Sequence, residues 1–363
     1  MLRLIILFSL SFITTLAQVQ LDLVTLLPSS IQETSGLIRI QNSIITHNDS
    51  GGSNALYVID PNSGFVTRTC HIANAINVDW EDLAADDQYI YIADFGNNTG
   101  SRTDLKIYRV SQIDFFNTPN DTVFADTISF SYSDQIDFTA GSNQTNYDAE
   151  ALMVKGDSLY IFSKRWLEQS CQVYALSKIP GTYTIDPVAS IPSEGLITGA
   201  FFDTISSSIF LCGYGPPIPF LIEINNFDSF PIETSHISKT ILDVPVGSSV
   251  QIEAITMKND SELFLSSETS VIGDASLMSF DFSRMVNTTE RSKDILNPYP
   301  NPSSDYLFFE NNQGACFSLY DLLGKPIEKT CASGISLKHL PNGLYFLVEE
   351  DNKSAYDIII EHD

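Results

Sequence analysis

Basic residues are scarce in this sequence. Its 363 residues include 19 Lys and Arg against 45 Asp and Glu, a formal net charge of −26 at pH 7. Nucleic-acid binders need a basic surface to displace counterions from phosphate, and anionic lipid surfaces attract basic segments. The composition therefore excludes nucleic acid as a partner and argues against binding to an anionic membrane surface. With 43% hydrophobic and only 18% charged residues, the chain is also not a disordered one.

Long apolar runs are almost absent, and the one that stands out is at the N-terminus. Arg3 precedes the apolar stretch Leu4–Leu10, and Thr15-Leu16-Ala17 offers a small-residue cleavage site before Gln18. This pattern predicts a secretory signal peptide over residues 1–17. The alternative, an N-terminal membrane anchor, needs about 20 apolar residues, and the run is shorter than that. No later stretch is long enough to span a bilayer.

Cysteine and histidine are also few, five of each, and no Cys-x-x-Cys pair occurs. A tetrahedral zinc site is therefore not predicted. Cys316 and Cys331 flank a predicted strand-turn-strand and are one candidate disulfide; Cys171 and Cys212 are a second, which leaves Cys70 over. The sequence has neither a Gly-x-Ser-x-Gly elbow nor a glycine-rich phosphate loop.

Helical periodicity is missing between residues 20 and 283, where short β-branched and aromatic runs alternate with Gly, Asn, Asp and Ser. One pattern recurs five times, and its repeats start near Glu33, Glu81, Glu150, Gly199 and Glu253. The spacings are 48, 69, 49 and 54 residues, which is typical of β-propeller blades. The fifth repeat lacks a last strand, and Leu21–Leu27 is predicted to supply it and close the ring.

We therefore predict an all-β chain with a five-bladed β-propeller over residues 18–285, a linker over 286–297 and a small β-sandwich over 298–363. A six-bladed ring is the alternative, if the insertion between Ser111 and Asn146 holds a degenerate blade. Closing the ring would leave no free sheet edge to aggregate.

The blade heads resemble those of the SdiA-regulated family of bacterial envelope propellers. The matching segments are Glu33-Thr34-Ser35-Gly36-Leu37, Glu81-Asp82-Leu83-Ala84, Glu150-Ala151-Leu152 and Glu253-Ala254-Ile255. The fourth head, Thr198-Gly199-Ala200, lacks the acid, as that family's fourth repeat usually does. The resemblance covers most of residues 20–283 and implies a β-propeller, and a metal ion in its central channel would be consistent with it.

The glutamates at the blade heads are the candidate metal ligands: Glu33, Glu81, Glu150 and Glu253. The first strand of a blade lines the channel, so these carboxylates are expected to converge at its mouth. Converging carboxylates repel one another, so either some are protonated or a cation lies among them. Ca²⁺, which takes six to eight oxygen ligands, is the predicted cofactor. Alternatively, the acids accept backbone N–H groups of the neighbouring blade and only join blades.

A second set of residues should surround this mouth, because second strands end where first strands begin. The candidate ligand-binding residues are His47, Asp49, Trp80, Asp94, Arg102, Lys164, Arg165, Tyr214 and Glu268. With rare bases and both tryptophans, they would suit an anionic or sugar-like ligand; alternatively, Trp80 packs between blades and the bases pair with local acids. The leading hypothesis is that the protein is a binding module with a ligand pocket at this mouth. Its rivals are a Ca²⁺-dependent phosphoester hydrolase, with Asp49 or Asp94 positioning water, and a purely structural surface protein.

The last 65 residues contain three motifs in order: Tyr299-Pro300-Asn301-Pro302, Leu319-Tyr320-Asp321-Leu322-Leu323-Gly324-Lys325 and Leu340-Pro341-Asn342-Gly343-Leu344-Tyr345-Phe346. They resemble the type A C-terminal sorting domain of the type IX secretion system of Bacteroidetes, over residues 296–363. At the end, Tyr356-Asp357 replaces the Lys that commonly precedes the last strand. The resemblance implies engagement with the type IX machinery, secretion or display at the outer cell surface, and possible attachment to surface polysaccharide.

Overall fold

The computed structural model describes residues 18–215, 218–232, 236–271, 273–282, 298–308, 316–320, 326–349 and 355–362. The predicted signal peptide and the predicted linker lie outside these residues. The chain divides into two compact units, Met1–Met285 and Val286–Asp363. Across the described part of both units, no helix has the length and apolar character that crossing a membrane requires.

The first unit is built from five separate sheets of the same design, each with four antiparallel strands. The strands are as follows: sheet I, Thr34–Ile40, Ser43–Asn48, Ala55–Ile59 and Val66–Ile72; sheet II, Trp80–Ala85, Tyr89–Asp94, Lys106–Ser111 and Ala125–Tyr132; sheet III, Ala149–Lys155, Ser158–Ser163, Cys171–Ser177 and Pro187–Ile191; sheet IV, Leu196–Asp203, Ser208–Gly215, Ile218–Ile224 and Ile237–Asp243; sheet V, Ile252–Asn259, Glu262–Ser267, Ser276–Asp281 and Asp22–Leu26. The repeated sheet of four antiparallel strands is propeller-like and confirms the all-β prediction.

The strand Asp22–Leu26 comes from the N-terminus yet pairs antiparallel with Ser276–Asp281. The predicted segment Leu21–Leu27 therefore supplies the outer strand of sheet V. Leu21, directly before this strand, is buried at 1% exposure among the side chains of sheets IV and V. The two ends of the first unit are thus joined by backbone hydrogen bonds rather than by a covalent link.

Three outer edges receive a further strand that runs parallel to the edge. Thr122–Val123 pairs with Val66–Ile72, Gly181–Ile185 with Ala125–Tyr132, and Gln18–Gln20 with Ile237–Asp243. Each added strand precedes, in the chain, the outer strand of the next sheet. Sheets I, II and IV are therefore each covered at the edge by a neighbour, which removes exposed N–H and C=O groups.

The insertion between Ser111 and Asn146 contains no sheet of its own among the described residues. It holds the helix Gln112–Asn117, whose N-cap is the Ser111 hydroxyl accepting from the Asp114 N–H. It then supplies Thr122–Val123 to sheet I and Ala125–Tyr132 to sheet II. The extra residues of this repeat therefore form a helix and loops rather than an additional sheet.

Apolar side chains are buried between successive sheets, in five clusters. Trp80 lies in the cluster between sheets I and II, Tyr174 between II and III, Phe162 between III and IV, Phe280 between IV and V, and Phe264 between V and I. Burying each such side chain stabilises the fold by about 1.5–3 kcal/mol. The first strands also contact one another in the order I, II, III, IV, V and back to I.

These clusters overturn the predicted pairing of Cys171 with Cys212. Both thiols are free and fully buried. Cys171 lies in the cluster between sheets III and IV, whereas Cys212 lies between sheets IV and V. The two thiols therefore lie on opposite sides of sheet IV, and the sheet keeps them apart.

The described residues of the second unit form two small sheets. Tyr306–Phe308 pairs with Gly334–Ser336, and the strands Pro326–Thr330, Phe317–Tyr320, Gly343–Glu349 and Ala355–Ile360 form the other sheet in that order. Leu307, Phe317 and Ile358 lie in its buried apolar core. The predicted disulfide between Cys316 and Cys331 is confirmed. Most of the predicted turn Leu323–Pro326 lies outside the described residues.

Candidate functional site

A β-bulge occurs near the start of every first strand in the first unit. The strand pairing skips Gly36 in sheet I, Glu81 and Asp82 in sheet II, Glu150 in sheet III, Thr198 in sheet IV and Glu253 in sheet V. A bulge redirects a side chain and often lies next to a functional site. The repeat in the sequence therefore corresponds to a repeated β-bulge. An acidic residue lies in the bulge in only three of the five sheets, II, III and V.

Carboxylates from several sheets meet beside these bulges. We call this group the acidic mouth; it comprises Asp49, Asp79, Glu81, Asp148, Glu150, Glu253 and Glu268. For each member, either its charge raises the pKa of another member or another member raises its own pKa, which places them within electrostatic reach of one another. Three of the four predicted metal ligands, Glu81, Glu150 and Glu253, belong to it.

Glu33, the fourth predicted ligand, is exposed and lies three residues before the bulge of sheet I. Its charge raises the pKa of Glu268, so it stands at the rim of the acidic mouth. Its backbone carbonyl accepts from the Asp49 N–H at 2.9 Å. The structure thus places Asp49, not Glu33, as the inward-facing acid of sheet I.

Asp49, Asp79 and Glu81 form the tightest group, with one oxygen of each carboxylate within 4.8 Å of the others. Burial is the first cause that raises the pKa of all three: to about 7 for Asp49, to about 6 for Asp79, and well above the ordinary value for Glu81. The neighbouring carboxylates raise these pKa values further. Glu81 is only 4% exposed, and its carboxylate has no hydrogen-bond partner among the described residues.

Gly96 allows this close approach. A Cβ built on Gly96 would overlap the Glu81 Oε1 atom and lie 2.6 Å from the Asp79 Oδ2 atom. The Gly96 N–H also donates to the Asp79 carbonyl at 3.2 Å. Any side chain at position 96 would therefore push into the space that the two carboxylates share.

Lys164 is the ammonium group of the acidic mouth. Its side chain is 5% exposed, and Nζ donates to both Glu150 oxygens at 2.6 Å and to the Tyr214 hydroxyl at 3.1 Å. Burial lowers the pKa of Lys164, but the surrounding carboxylates, Glu150 first, raise it well above its ordinary value. The ammonium has three N–H groups and contacts three acceptor oxygens, so none of its N–H groups is left free.

The other predicted bases also have partners within the protein. Arg102 forms an ion pair with Asp94 at 3.0 Å and donates to the Gly96 carbonyl at 2.9 Å. Arg165 pairs with Glu168 at 2.8 Å. Asp94 in turn accepts from the Asp79 N–H at 3.2 Å, so Arg102 and Asp94 position the Asp79 backbone. This is the local pairing that the sequence left open as an alternative.

Trp80 and His47, both predicted to bind a ligand, are buried between sheets. Trp80 is 0% exposed, donates from Nε1 to the Ile76 carbonyl at 3.2 Å and packs edge-on against His47 at 5.6 Å. Burial lowers the pKa of His47 to about 4, so its ring is neutral at pH 7. Trp80 therefore packs between sheets I and II, the alternative considered for it. Glu268 lies at the rim, where Gln251 donates to it at 2.9 Å.

The sequence reading missed three acids. Asp79 and Asp148 belong to the mouth, and Asp82 lies beneath it. The signal for the first two is a repeated Asp-x-Glu, at Asp79-Trp80-Glu81 and Asp148-Ala149-Glu150. Asp148 accepts from the Trp166 indole at 2.7 Å and from the Asn97 N–H at 2.7 Å.

Asp82 joins three sheets. Its Oδ1 accepts from the Leu83 N–H at 2.7 Å, and its Oδ2 accepts from Leu152 at 2.8 Å and Ala200 at 3.4 Å, in sheets III and IV. It is 1% exposed, and burial raises its pKa well above the ordinary value. Joining blades, the alternative role for the blade-head acids, is thus performed by Asp82.

Comparison with known proteins gives a match for the second unit. Residues 297–361 match the model of the secretion system C-terminal sorting domain. The C-terminal unit is a type IX sorting domain. It engages the type IX secretion machinery, and the protein is secreted to the cell surface. No curated protein matches the chain in sequence.

Solved structures similar to the chain have low identities. A nidogen/laminin complex matches with a TM-score of 0.38 and 13% identity, over 69% of this chain and 76% of that chain. The Dos1 propeller matches with a TM-score of 0.34 and 11% identity, over 91% and 78%. A putative exported protein of Bacteroides fragilis matches with a TM-score of 0.35 and 10% identity, over 72% and 94%.

Proposed function

We propose that the protein is a surface-exported binding module: a five-bladed β-propeller that holds one Ca²⁺ ion at its acidic mouth. Five repeated sheets, cyclic contacts between first strands and five inter-sheet clusters support the blade number. The pairing of Asp22–Leu26 with sheet V supports closure by the N-terminus. A relationship to the SdiA-regulated family rests on the blade heads and is part of this proposal.

The ion is assigned to Asp49, Asp79 and Glu81. Oxygens bound to Ca²⁺ lie about 2.3–2.6 Å from the ion, so ligands on opposite sides are about 5 Å apart. One oxygen from each of the three carboxylates fits within that diameter, at separations of up to 4.8 Å. The close approach of three largely buried carboxylates is the observation that carries the assignment, because such groups either stay protonated or share a cation. Backbone carbonyls and water would complete the shell.

The binding module is favoured over the phosphoester hydrolase because of the bases. In the hydrolase alternative, Arg165 or Lys164 would hold the substrate phosphate beside the metal ion. Lys164 has no free N–H, and Arg102 and Arg165 already pair with Asp94 and Glu168. An anionic group would have to displace these partners. What a bound Ca²⁺ offers instead is its open coordination positions, which suit oxygen-rich ligands.

Thermal unfolding of the intact chain tests the proposal. We expect EDTA to lower the unfolding temperature and Ca²⁺ to restore it, with an affinity of about 10⁻⁴–10⁻³ M, as in extracellular calcium modules. At ~100 times the dissociation constant, Ca²⁺ adds about 2.7 kcal/mol. For a domain of this size that is about 5–10 °C. An unfolding temperature that neither treatment changes would end the metal assignment, and release of phosphate from a phosphoester would favour the hydrolase.

A further inference from the structure

The position of Lys164 divides the acidic mouth into two halves. On one side lie Asp49, Asp79 and Glu81, which bring one oxygen each within 4.8 Å of the others and to which Lys164 Nζ makes no hydrogen bond or ion pair among the described residues. On the other side, Lys164 Nζ contacts both oxygens of Glu150 at 2.6 Å. A divalent cation would have to displace this buried ammonium to reach Glu150. The two halves therefore have the same kind of ligands but different occupants.

Glu253 is the second carboxylate on the Lys164 side. It is 8% exposed, and its carboxylate has no hydrogen bond among the described residues. Lys164 is the neighbour that stabilises its charge, against Glu150, Glu268 and Asp49, which oppose it. The contact of Lys164 Nζ with both Glu150 oxygens, with Glu253 within electrostatic reach of the same ammonium, indicates that this half of the mouth is built around a cation.

We infer that the Lys164 ammonium occupies a second cation position, formed by Glu150, Glu253 and Tyr214, and so restricts the mouth to a single divalent ion. The inference rests on the proposed function, since it assigns the stoichiometry of the same site. A neutral side chain at position 164 would leave Glu150 and Glu253 without a counter-charge. Ca²⁺ would then bind there, because carboxylate and hydroxyl oxygens are the ligands it prefers.

The experiment counts Ca²⁺ ions bound per intact chain by equilibrium dialysis. The variant is Lys164→Met, which keeps a chain of similar length without the charge. The matched control is Lys155→Met, since Lys155 ends the first strand of sheet III at the opposite end from the mouth and contacts carbonyls of Phe227 and Asp228. We expect one ion for the wild type, two for Lys164→Met and one for Lys155→Met.

If the wild type binds one ion or none, the difference between Lys164→Met and wild type decides the inference. A gain of one ion supports it, even if the wild type binds none and the proposed function fails. An unchanged count overturns it, even if the wild type binds one. Two ions in the wild type also overturn it. The double variant Lys164→Met, Glu150→Gln should lose the gained ion, and retention of that ion would contradict the assignment of Glu150.

Folding gives a second readout. Lys164→Met should depend on Ca²⁺ for its native circular dichroism more strongly than the wild type, because the ion replaces the lost ammonium. Lys164→Gln, which can still donate to Glu150, should show the same dependence and the same added ion. If both variants remain unfolded in saturating Ca²⁺, the ammonium does more than occupy a cation position, and the inference is wrong.

Discussion

Glu81 and Glu33 were equivalent in the sequence, but they have different surroundings in the fold. Glu81 is buried beside Asp49 and Asp79, whereas Glu33 is exposed at the rim. Keeping the more buried carboxylate charged costs more unless a cation neutralises it, so Glu81 should dominate cation binding. This contrast makes the two residues a matched pair for mutation.

Glu81→Gln should abolish the Ca²⁺-dependent rise in unfolding temperature, because it removes a ligand and its charge together. Glu33→Gln should leave the rise within about 1–2 °C of wild type, which is less than 1 kcal/mol for a domain of this size. Differential scanning fluorimetry with EDTA and with CaCl₂ measures both. If Glu33→Gln lost the Ca²⁺ effect and Glu81→Gln kept it, the ion would have to be assigned to Glu33, as the sequence predicted, rather than to Glu81.

Asp49 and Asp79 predict how stability depends on pH without calcium. Their pKa values, about 7 and about 6, exceed the ordinary 3.8, so the native state holds protons that the unfolded state releases. Stability from these groups is therefore greatest below pH 4 and falls as the pH rises from about 4 to 7. In EDTA, the free energy of unfolding should be lower at pH 8 than at pH 5.5.

Calcium should reverse much of this loss, because the ion replaces the protons at the same oxygens. Urea denaturation at the two pH values, each with EDTA and with CaCl₂, measures the effect. Asp79→Asn should flatten the dependence in EDTA. A chain that gains stability between pH 5.5 and 8 in EDTA would show that other groups outweigh these two acids.

At the scale of the strand, the β-bulges decide which residue of each blade head faces the mouth. The sequence repeat treated Glu33, Glu81, Glu150 and Glu253 as equivalent acids at the heads of their blades. Strand pairing instead places Gly36, the pair Glu81 and Asp82, Glu150, Thr198 and Glu253 in the bulges. A shift of one residue exchanges the faces of a strand, so spacing alone could not choose between Glu81 and Asp82.

Asp82→Asn should destabilise the first unit by about 1–3 kcal/mol for each lost acceptor, because the amide presents donors to the N–H groups of Leu152 or Ala200. The urea midpoint should fall, whereas the number of Ca²⁺ ions bound should not change. Asp87→Asn is the control, since Asp87 is exposed shortly after the same strand. Equal midpoints for the two variants would remove Asp82 as the residue that joins the sheets.

The N-terminal strand offers a second test at this scale. Deletion of residues 18–27 removes the pairing of Asp22–Leu26 with Ser276–Asp281 and exposes that edge. We expect the variant to aggregate or to lose its cooperative unfolding transition, because free hydrophobic edges associate. Deletion of residues 18–20 removes only the parallel strand on sheet IV and should be milder. Size-exclusion chromatography and circular dichroism distinguish the two.

At the scale of the whole molecule, the two units have separate cores and separate tasks. The first unit has its own inter-sheet clusters, and the second is held by its own apolar cluster and a disulfide. The sorting domain directs export, whereas the acidic mouth lies entirely in the first unit. Mutations in one unit should therefore leave the task of the other unchanged.

Removal of residues 298–363 should keep the protein from the cell surface without removing its Ca²⁺ site. Cell fractionation in a host with type IX secretion, with detection by antibody, measures the first effect. Calorimetry of the truncated chain measures the second. Surface localisation of the truncated chain would mean that the first unit carries its own export signal. Glu81→Gln in the intact chain is the reciprocal control and should reach the surface normally.

The sequence by itself determined the all-β class, the repeat, the N-terminal outer strand of sheet V and the sorting domain. These four features depend on local sequence patterns: alternating apolar and polar residues in strands, turn residues between them, and short contiguous motifs. Tertiary structure alone decided the rest: that Asp79 joins Asp49 and Glu81, that Lys164 neutralises Glu150, and that Cys171 and Cys212 face opposite sides of sheet IV. The reason is physical, because charge pairing depends on distances of a few ångström between side chains far apart in the chain. A single skipped residue in a strand is enough to change which carboxylate meets which partner.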